Sequence, residues 1–197
     1  VYGRDSATLK AFELQTPMTL HANSTSLMYG LSKLTSERVF YALNQSGCAT
    51  VSIARLFSFV GPLMPLNAHF ALGNFMAAAL RGQTIQLNSK GSAVRSWMHL
   101  ADLSRYMLLL SGSRNSNIVD VGEEASMTVA EAAQLVGQIA SVGVELGKED
   151  NPTGSSMKYV PDLRTLWSLG PRLQTKSHQE SFEDTYRWLR MSHSPGM

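Results

Sequence analysis

The sequence predicts an α/β fold, because helical and strand-like patterns alternate along its 197 residues. Leucines recur at the three- and four-residue spacing of a helix from Ser26 to about Ser46, and Gly47 ends the pattern. The stretch "TVSIARLF", residues 50–57, follows directly and is rich in the β-branched and aromatic residues that favour strands. A helix that leads at once into a buried strand is typical of α/β proteins.

Turn residues or capping residues bound each of the later elements. The first of them are a helix Phe70–Leu80, short strands "TIQL" and "VRSWMHL" around the turn "NSKG", a helix Leu103–Leu110 capped by Asp102, and a strand "NIVDVG". The last of them are a helix from the capping box Thr128/Glu131 to about Ala140, a strand "MKYV", a short helix capped by Asp162, and a final helix opened by the capping box Ser177/Glu180.

The overall composition argues against several classes of protein. A net charge of +2 is too small for a chain that coats nucleic acid or binds membranes through a polybasic segment. The single cysteine, Cys48, excludes an internal disulfide and a CxxC metal site, and the histidines show no HExxH spacing. No apolar run reaches the roughly 20 residues that cross a bilayer, and no signal-peptide pattern occurs. We therefore expect no nucleic-acid, membrane or metal partner and a cytoplasmic location.

A tyrosine and a lysine, Tyr29 and Lys33, stand four residues apart in the first predicted helix. Residues at this spacing lie on one helix face, and a neighbouring ammonium favours the phenolate form of a tyrosine. Gly30 and Ser32 keep the surface between them small, so a flat ligand could approach. The pattern fits a proton-transferring pair, and it also fits an ordinary amphipathic helix with a solvated lysine.

Six short motifs occur in an order that helps to choose between these two interpretations of the tyrosine–lysine pair. They are "VYG" at the start, "YGLSKLTSE", "ARLFSFVGP", "VRSWMHLADL", "VPDLRTLWSLG" and "TYRWL". Their order and spacing resemble the extended short-chain dehydrogenase/reductases, the NAD-dependent nucleotide-sugar epimerases, dehydratases and decarboxylases. The resemblance implies the C-terminal part of a Rossmann-like doubly wound domain plus a small α/β substrate-binding region. Residues 1–66 would belong to the former and 67–197 mainly to the latter, with some segments returning to the Rossmann-like sheet.

The same resemblance implies NAD or NADP as cofactor. The family's glycine-rich dinucleotide loop lies on its first strand-to-helix turn, and no GxGxxG or GxxGxxG occurs in this sequence. The serine or threonine that completes the family's catalytic trio precedes "VYG" and is also absent. We therefore expect a C-terminal portion of an enzyme, without the N-terminal cofactor-binding strands, that is poorly soluble or oligomeric by itself and has no turnover.

Three residues match the family's catalytic and cofactor positions. Tyr29 matches the proton-transfer tyrosine, and Lys33 matches the lysine that holds the nicotinamide ribose. Phe57 matches a position that lines the nicotinamide pocket, although ordinary core packing is an equally good interpretation. His69 and His99 match no catalytic position and are interpreted as structural histidines.

Five further residues match positions that bind the nucleotide sugar: Ser58, Asn74, Gln86, Leu87 and Arg95. Ser58 stands where many relatives carry an asparagine, so the sugar or its pose is left open. Asn74 matches an asparagine that reaches the substrate diphosphate, and Arg95 matches an arginine that grips it with its two-pronged guanidinium. The alternative for Arg95 is a surface salt bridge. Lys158 and Tyr159 lie near a position where some relatives place a further phosphate-contacting cation.

The resemblance implies a reaction through a 4-keto sugar. The following step would be epimerisation, dehydration or decarboxylation, and these residues do not distinguish them. The implied partners are a nucleotide-diphosphate sugar and a second copy of the chain in a homodimer. The alternative is a non-catalytic binding or scaffold protein of the same fold.

Overall fold

The computed structural model describes residues 25–67, 70–115, 117–149 and 158–192, with the side chains of 25–27 excepted. The helices are α1 Thr25–Gln45, α2 Ala71–Leu80, α3 Leu100–Ser111, α4 Val129–Ala140, α5 Arg164–Ser168 and α6 His178–Ser192. The strands are β1 Ser52–Leu56, β2 Ser58–Val60, β3 Ile85–Gln86, β4 Val94–Arg95, β5 Trp97–His99, β6 Asn117–Val121, β7 Met127–Thr128, β8 Val144–Glu145 and β9 Lys158–Tyr159. This order confirms the predicted α/β class.

Parallel pairing dominates the sheets. Strand β1 pairs in parallel with β6, so that Ser52 lies opposite Asn117 and Leu56 opposite Val121. The Phe57 amide extends this ladder by donating to the Val121 carbonyl at 3.1 Å. Strand β2 pairs in parallel with β5, and β4 is the middle strand between antiparallel β7 and parallel β9. Parallel strands need crossover connections, which here contain the helices.

The strands on either side of "NSKG" do not pair with each other. Strand β3 pairs with β8, whereas β4 pairs with β7 and β9. The turn instead meets the start of α4, where the Ala130 amide donates to the Gly91 carbonyl and the Val129 amide to the Ala93 carbonyl. These bonds direct the chain away from β3.

Two apolar clusters form the core. The larger one packs α2, α4 and α6 together and is centred on Leu72, Phe75, Met76, Ala132, Ala133, Val136, Phe182 and Leu189. The smaller one lies under α3 and α5 and contains Met98, Tyr106, Leu110, Val119, Val121, Leu163 and Leu166. Among the described residues, no helix is both long and apolar enough to cross a bilayer.

The two predicted capping boxes are confirmed, and the predicted caps at Asp102 and Asp162 are wrong. Both capping boxes form, at Thr128/Glu131 and at Ser177/Glu180. Helix α3 starts at Leu100 instead of Leu103, and the imidazole of His99 caps it by accepting from the Ala101 amide at 3.1 Å. Asp102 lies buried in the first turn, where it accepts from Arg105 and from the Lys176 amide. Its carboxylate therefore ties α3 to the segment before α6.

The short helix α5 is not capped by Asp162, which was the predicted cap. Leu163 occupies its N-cap position and makes no side-chain cap bond. The Asp162 carboxylate, one residue earlier, still accepts from the Arg164 amide at 3.1 Å.

Replacing Thr128 by alanine is expected to lower the free energy of unfolding by about 1 kcal/mol. The hydroxyl of Thr128 accepts from the Glu131 amide at 3.1 Å, and the Glu131 carboxylate accepts from the Thr128 amide at 2.7 Å. Denaturant titration measures the change. Ser104→Ala is the control, because this exposed hydroxyl donates only to the Leu100 carbonyl within its own helix, and its loss should cost under about 0.5 kcal/mol. Equal losses in both variants would contradict the capping account.

Candidate active site

Helix α1 carries Tyr29 and Lys33 on one face. The Lys33 Nζ lies 5.5 Å from the centroid of the Tyr29 ring, within the range of a cation–π contact. The Tyr29 side chain is 66% exposed, and Lys33 is exposed as well. A phenol and an ammonium are thus held together at a surface that a ligand can reach.

Phe57 forms a buried wall beside this surface. It follows β1 and is 9% exposed, and its ring centroid lies 4.5 Å from that of Tyr159. Gly122, after β6, allows Phe57 and Pro161 to approach the backbone closely, because a Cβ there would stand 2.9 Å from Pro161 Cγ and 3.2 Å from Phe57 Cβ. Its burial and its packing against Tyr159 agree with the interpretation of Phe57 as a core residue.

Arg95 approaches Tyr159 from the neighbouring strand. The two residues are register partners in the parallel pair β4–β9, and the Arg95 Cζ lies 5.7 Å from the Tyr159 ring centroid. One guanidinium nitrogen donates to the Val94 carbonyl at 2.8 Å. Burial lowers the pKa of Arg95, but arginine remains charged at neutral pH. The result is a half-buried cation, which binds an anion more strongly than an exposed one because water screens it less.

Tyr159 connects the parts of the site. Burial is the main reason that its pKa is raised, and the charges of Asp120 and Tyr29 raise it further, against the opposing effect of Arg95. A phenol is protonated at neutral pH even at its ordinary pKa, so Tyr159 can donate a hydrogen bond. Phe57 and Arg95, which were predicted separately, therefore both pack against the Tyr159 ring, and the charge of Tyr29 acts on the same phenol.

The other predicted substrate residues lie elsewhere or have local partners. Ser58 is half-buried on β2 opposite Trp97, and Asn74 is exposed on α2. Gln86 lies on β3, where its amide donates to the Glu145 carboxylate at 2.8 Å. Leu87 is buried in the larger core cluster, and its amide donates to the Glu145 carbonyl at 2.9 Å. His69 and the "VYG" motif lie outside the described residues.

Sequence reasoning gave too little weight to Tyr159 and overlooked Asp120. Asp120 is fully buried on β6, in register with Arg55 of β1. An acidic residue inside the apolar strand "NIVDVG" was the available signal, because a buried carboxylate requires polar or charged neighbours. Tyr159 belongs to a strand too short for its pairing to be inferred from periodicity.

The fold is that of an extended short-chain dehydrogenase/reductase of the nucleotide-sugar epimerase and dehydratase type. The chain belongs to the NAD dependent epimerase/dehydratase family, whose family model matches residues 1–122.

Curated relatives point the same way. UDP-glucuronic acid decarboxylase 3 of Arabidopsis thaliana is 22% identical over 167 residues, which cover 83% of this chain and 48% of that protein. UDP-glucuronic acid decarboxylase 1 of Xenopus tropicalis is 26% identical over 136 residues, 69% of this chain and 32% of that protein. The chain thus spans about half the length, or less, of these relatives.

Solved structures share the fold. A UDP-N-acetylglucosamine 4-epimerase from Methanobrevibacter ruminantium, in complex with UDP-N-acetylmuramic acid, superposes with a TM-score of 0.80 at 17% identity over 98% of this chain and 60% of that one. A Thermus thermophilus UDP-glucose 4-epimerase in complex with NAD gives a TM-score of 0.77 at 21% identity over 96% of this chain and 60% of that one.

Proposed function

We propose that this chain supplies the proton-transfer and substrate-binding residues of an NAD-dependent enzyme that converts a nucleotide-diphosphate sugar through a 4-keto intermediate. The observation that carries the proposal is the cluster around Tyr159. In it the Tyr159 ring packs against the buried Phe57 ring and the half-buried Arg95, and the tyrosine of the exposed tyrosine–lysine pair of α1 acts electrostatically on the same phenol. These are the parts such a reaction needs.

The residues present fit the nicotinamide end of the cofactor. An exposed phenol and ammonium stand together on α1, and the buried Phe57 ring follows β1, so Lys33 would hold ribose hydroxyls and Phe57 would border the nicotinamide. The sequence contains no glycine-rich loop for the pyrophosphate, so the fit covers only this end. When bound, NAD supplies a hydride acceptor.

Each residue of the cluster then has a distinct task. Tyr29 takes the proton from the sugar hydroxyl at C4, and Lys33 stabilises the phenolate that does so. Arg95 binds the diphosphate, because a guanidinium donates to two phosphate oxygens at once. Tyr159, which as a phenol is protonated at neutral pH, donates a hydrogen bond to the sugar. These tasks account for the 4-keto sugar and leave open which reaction follows.

We also propose that the chain divides near residue 66 into a dinucleotide-binding part and a sugar-binding part. The enzyme would be a cytoplasmic homodimer that uses NAD or NADP. Sugar-binding roles are proposed for Ser58, Asn74, Gln86 and Leu87.

Replacing Arg95 by alanine is expected to weaken binding of a nucleotide sugar by about 10- to 100-fold, since a hydrogen bond to a charged group contributes about 1.5–3 kcal/mol. Isothermal titration of the chain with UDP-glucuronic acid and with UDP-glucose measures the change. Arg164→Ala is the matched control, because Arg164 is 72% exposed and pairs with Asp162 beside it.

An Arg95 variant that binds both sugars as tightly as the unaltered chain would remove the diphosphate role. If both sugars bind through Arg95 but Tyr29 has no influence on any conversion of them, the non-catalytic binding protein becomes the better account. If neither sugar binds the unaltered chain, the proposed substrate class is wrong for these residues.

A further inference from the structure

The helix that carries the tyrosine–lysine pair has little apolar anchoring. None of the side chains from 28 to 45 is buried, and large apolar ones such as Met28, Val39 and Phe40 are at least half exposed. Proton transfer, by contrast, requires the phenol to lie within hydrogen-bond reach of the group it deprotonates. A polar contact from the described part of the chain can also set the position of α1.

An ion pair between α1 and β1 provides such a contact. The guanidinium of Arg55 meets the carboxylate of Glu37 through two parallel bonds, Nε to Oε1 at 2.9 Å and Nη2 to Oε2 at 2.8 Å. The two side chains are only 13% and 12% exposed. A two-pronged pair fixes the relative orientation of its partners, which a single point contact does not, and shielding from water strengthens it.

The pair lies in line with the reactive residues. Tyr29, Lys33 and Glu37 follow one another at intervals of four and therefore form one stripe of α1, about 12 Å long. Arg55 stands two residues before Phe57 on the strand that runs into the site. The Glu37 end of the stripe is thus held by β1, the strand that leads to Phe57. The other end carries the Tyr29 phenol.

We propose that Glu37 and Arg55 are positioning residues, which set the rotation and axial register of α1 and so hold Tyr29 beside Tyr159. The catalytic meaning of this placement rests on the proposed function, but the placement itself does not. An ion pair that only added stability would change how easily the chain unfolds. A positioning pair also changes where Tyr29 lies while the rest of the chain stays folded.

Dityrosine cross-linking separates these two roles. Two phenols are joined oxidatively only if they meet, so brief illumination of the 197-residue chain with a ruthenium tris-bipyridyl complex and persulfate reports the approach of Tyr29 to Tyr159. Mass spectrometry of tryptic peptides identifies this link among those of the other tyrosines. The yield is measured well below the melting temperature of each variant.

The expected result is a Tyr29–Tyr159 link in the unaltered chain that Glu37→Gln lowers by about tenfold, as loss of about 1.4 kcal/mol from the anchored state would do. Arg55→Lys keeps the positive charge but cannot form the two parallel hydrogen bonds, so it should give an intermediate yield of the Tyr29–Tyr159 link. Arg164→Gln, the control, breaks an exposed pair within one segment and should leave the yield unchanged.

The proposal is overturned if Glu37→Gln leaves the yield at its original value, or if Arg164→Gln lowers it equally. An unaltered chain without the Tyr29–Tyr159 link would overturn it too. Because the assay needs neither cofactor nor sugar, a chain that binds no nucleotide sugar yet gives the expected yields refutes the proposed function and leaves the positioning role intact.

Discussion

Replacing Tyr29 by phenylalanine is expected to lower turnover of a nucleotide sugar by about 10²- to 10⁴-fold, the usual contribution of a positioned general acid or base. The substitution removes one oxygen from a side chain that is 66% exposed, so folding should not change. Lys33 would remain in place, and sugar binding through Arg95 should be nearly unaffected. The decrease should therefore appear in kcat. This constant is measured with NAD and a saturating concentration of the sugar, in a preparation that shows turnover.

Tyr41→Phe is the matched control for this experiment. Tyr41 lies on the same helix and is 48% exposed, but it belongs to a part of α1 away from the Tyr159 cluster. Its substitution should leave kcat unchanged. A Tyr29→Phe variant with full turnover, or equal losses in the two variants, would show that the phenol of Tyr29 transfers no proton.

Replacing Phe182 by alanine is expected to lower the free energy of unfolding by about 3–5 kcal/mol. Phe182 is fully buried between α2, α4 and α6, and its ring meets Trp97 edge-on at 6.0 Å and 77°. His178 packs against the same ring at 6.0 Å. The substitution leaves a cavity that these rigid neighbours cannot fill. Denaturant titration gives the change in stability.

Phe70→Ala provides the comparison. This phenylalanine precedes α2 and is 62% exposed, so its loss should cost less than about 0.5 kcal/mol. If Phe182→Ala destabilises the chain by no more than Phe70→Ala, the three-helix cluster is not the core that the structure shows.

Local signals predicted the helices well. The capping box at Thr128 and Glu131 determined where α4 begins, because its two reciprocal hydrogen bonds involve residues only three apart. Asp102 misled the prediction for α3, since aspartate is a common cap but here bonds the distant Lys176 amide. Contacts across such a distance leave no trace in local sequence.

Strand pairing and the centre of the site were harder to predict. The register of Arg95 with Tyr159 joins strands of two residues each, from segments far apart in the chain, and neither strand has enough residues to show a period. The sequence motifs predicted Tyr29, Lys33, Phe57 and Arg95 as site residues. Tyr159, against which Phe57 and Arg95 both pack, became visible only when the strands were placed side by side.

A crystal structure of the chain with UDP-glucuronic acid tests the central claim most directly. We expect the diphosphate on the guanidinium of Arg95 and the sugar between Tyr29 and Tyr159, with its C4 hydroxyl towards the phenol of Tyr29. A sugar nucleotide bound away from Arg95, or one whose sugar ring lies beyond the reach of Tyr29, would contradict the account.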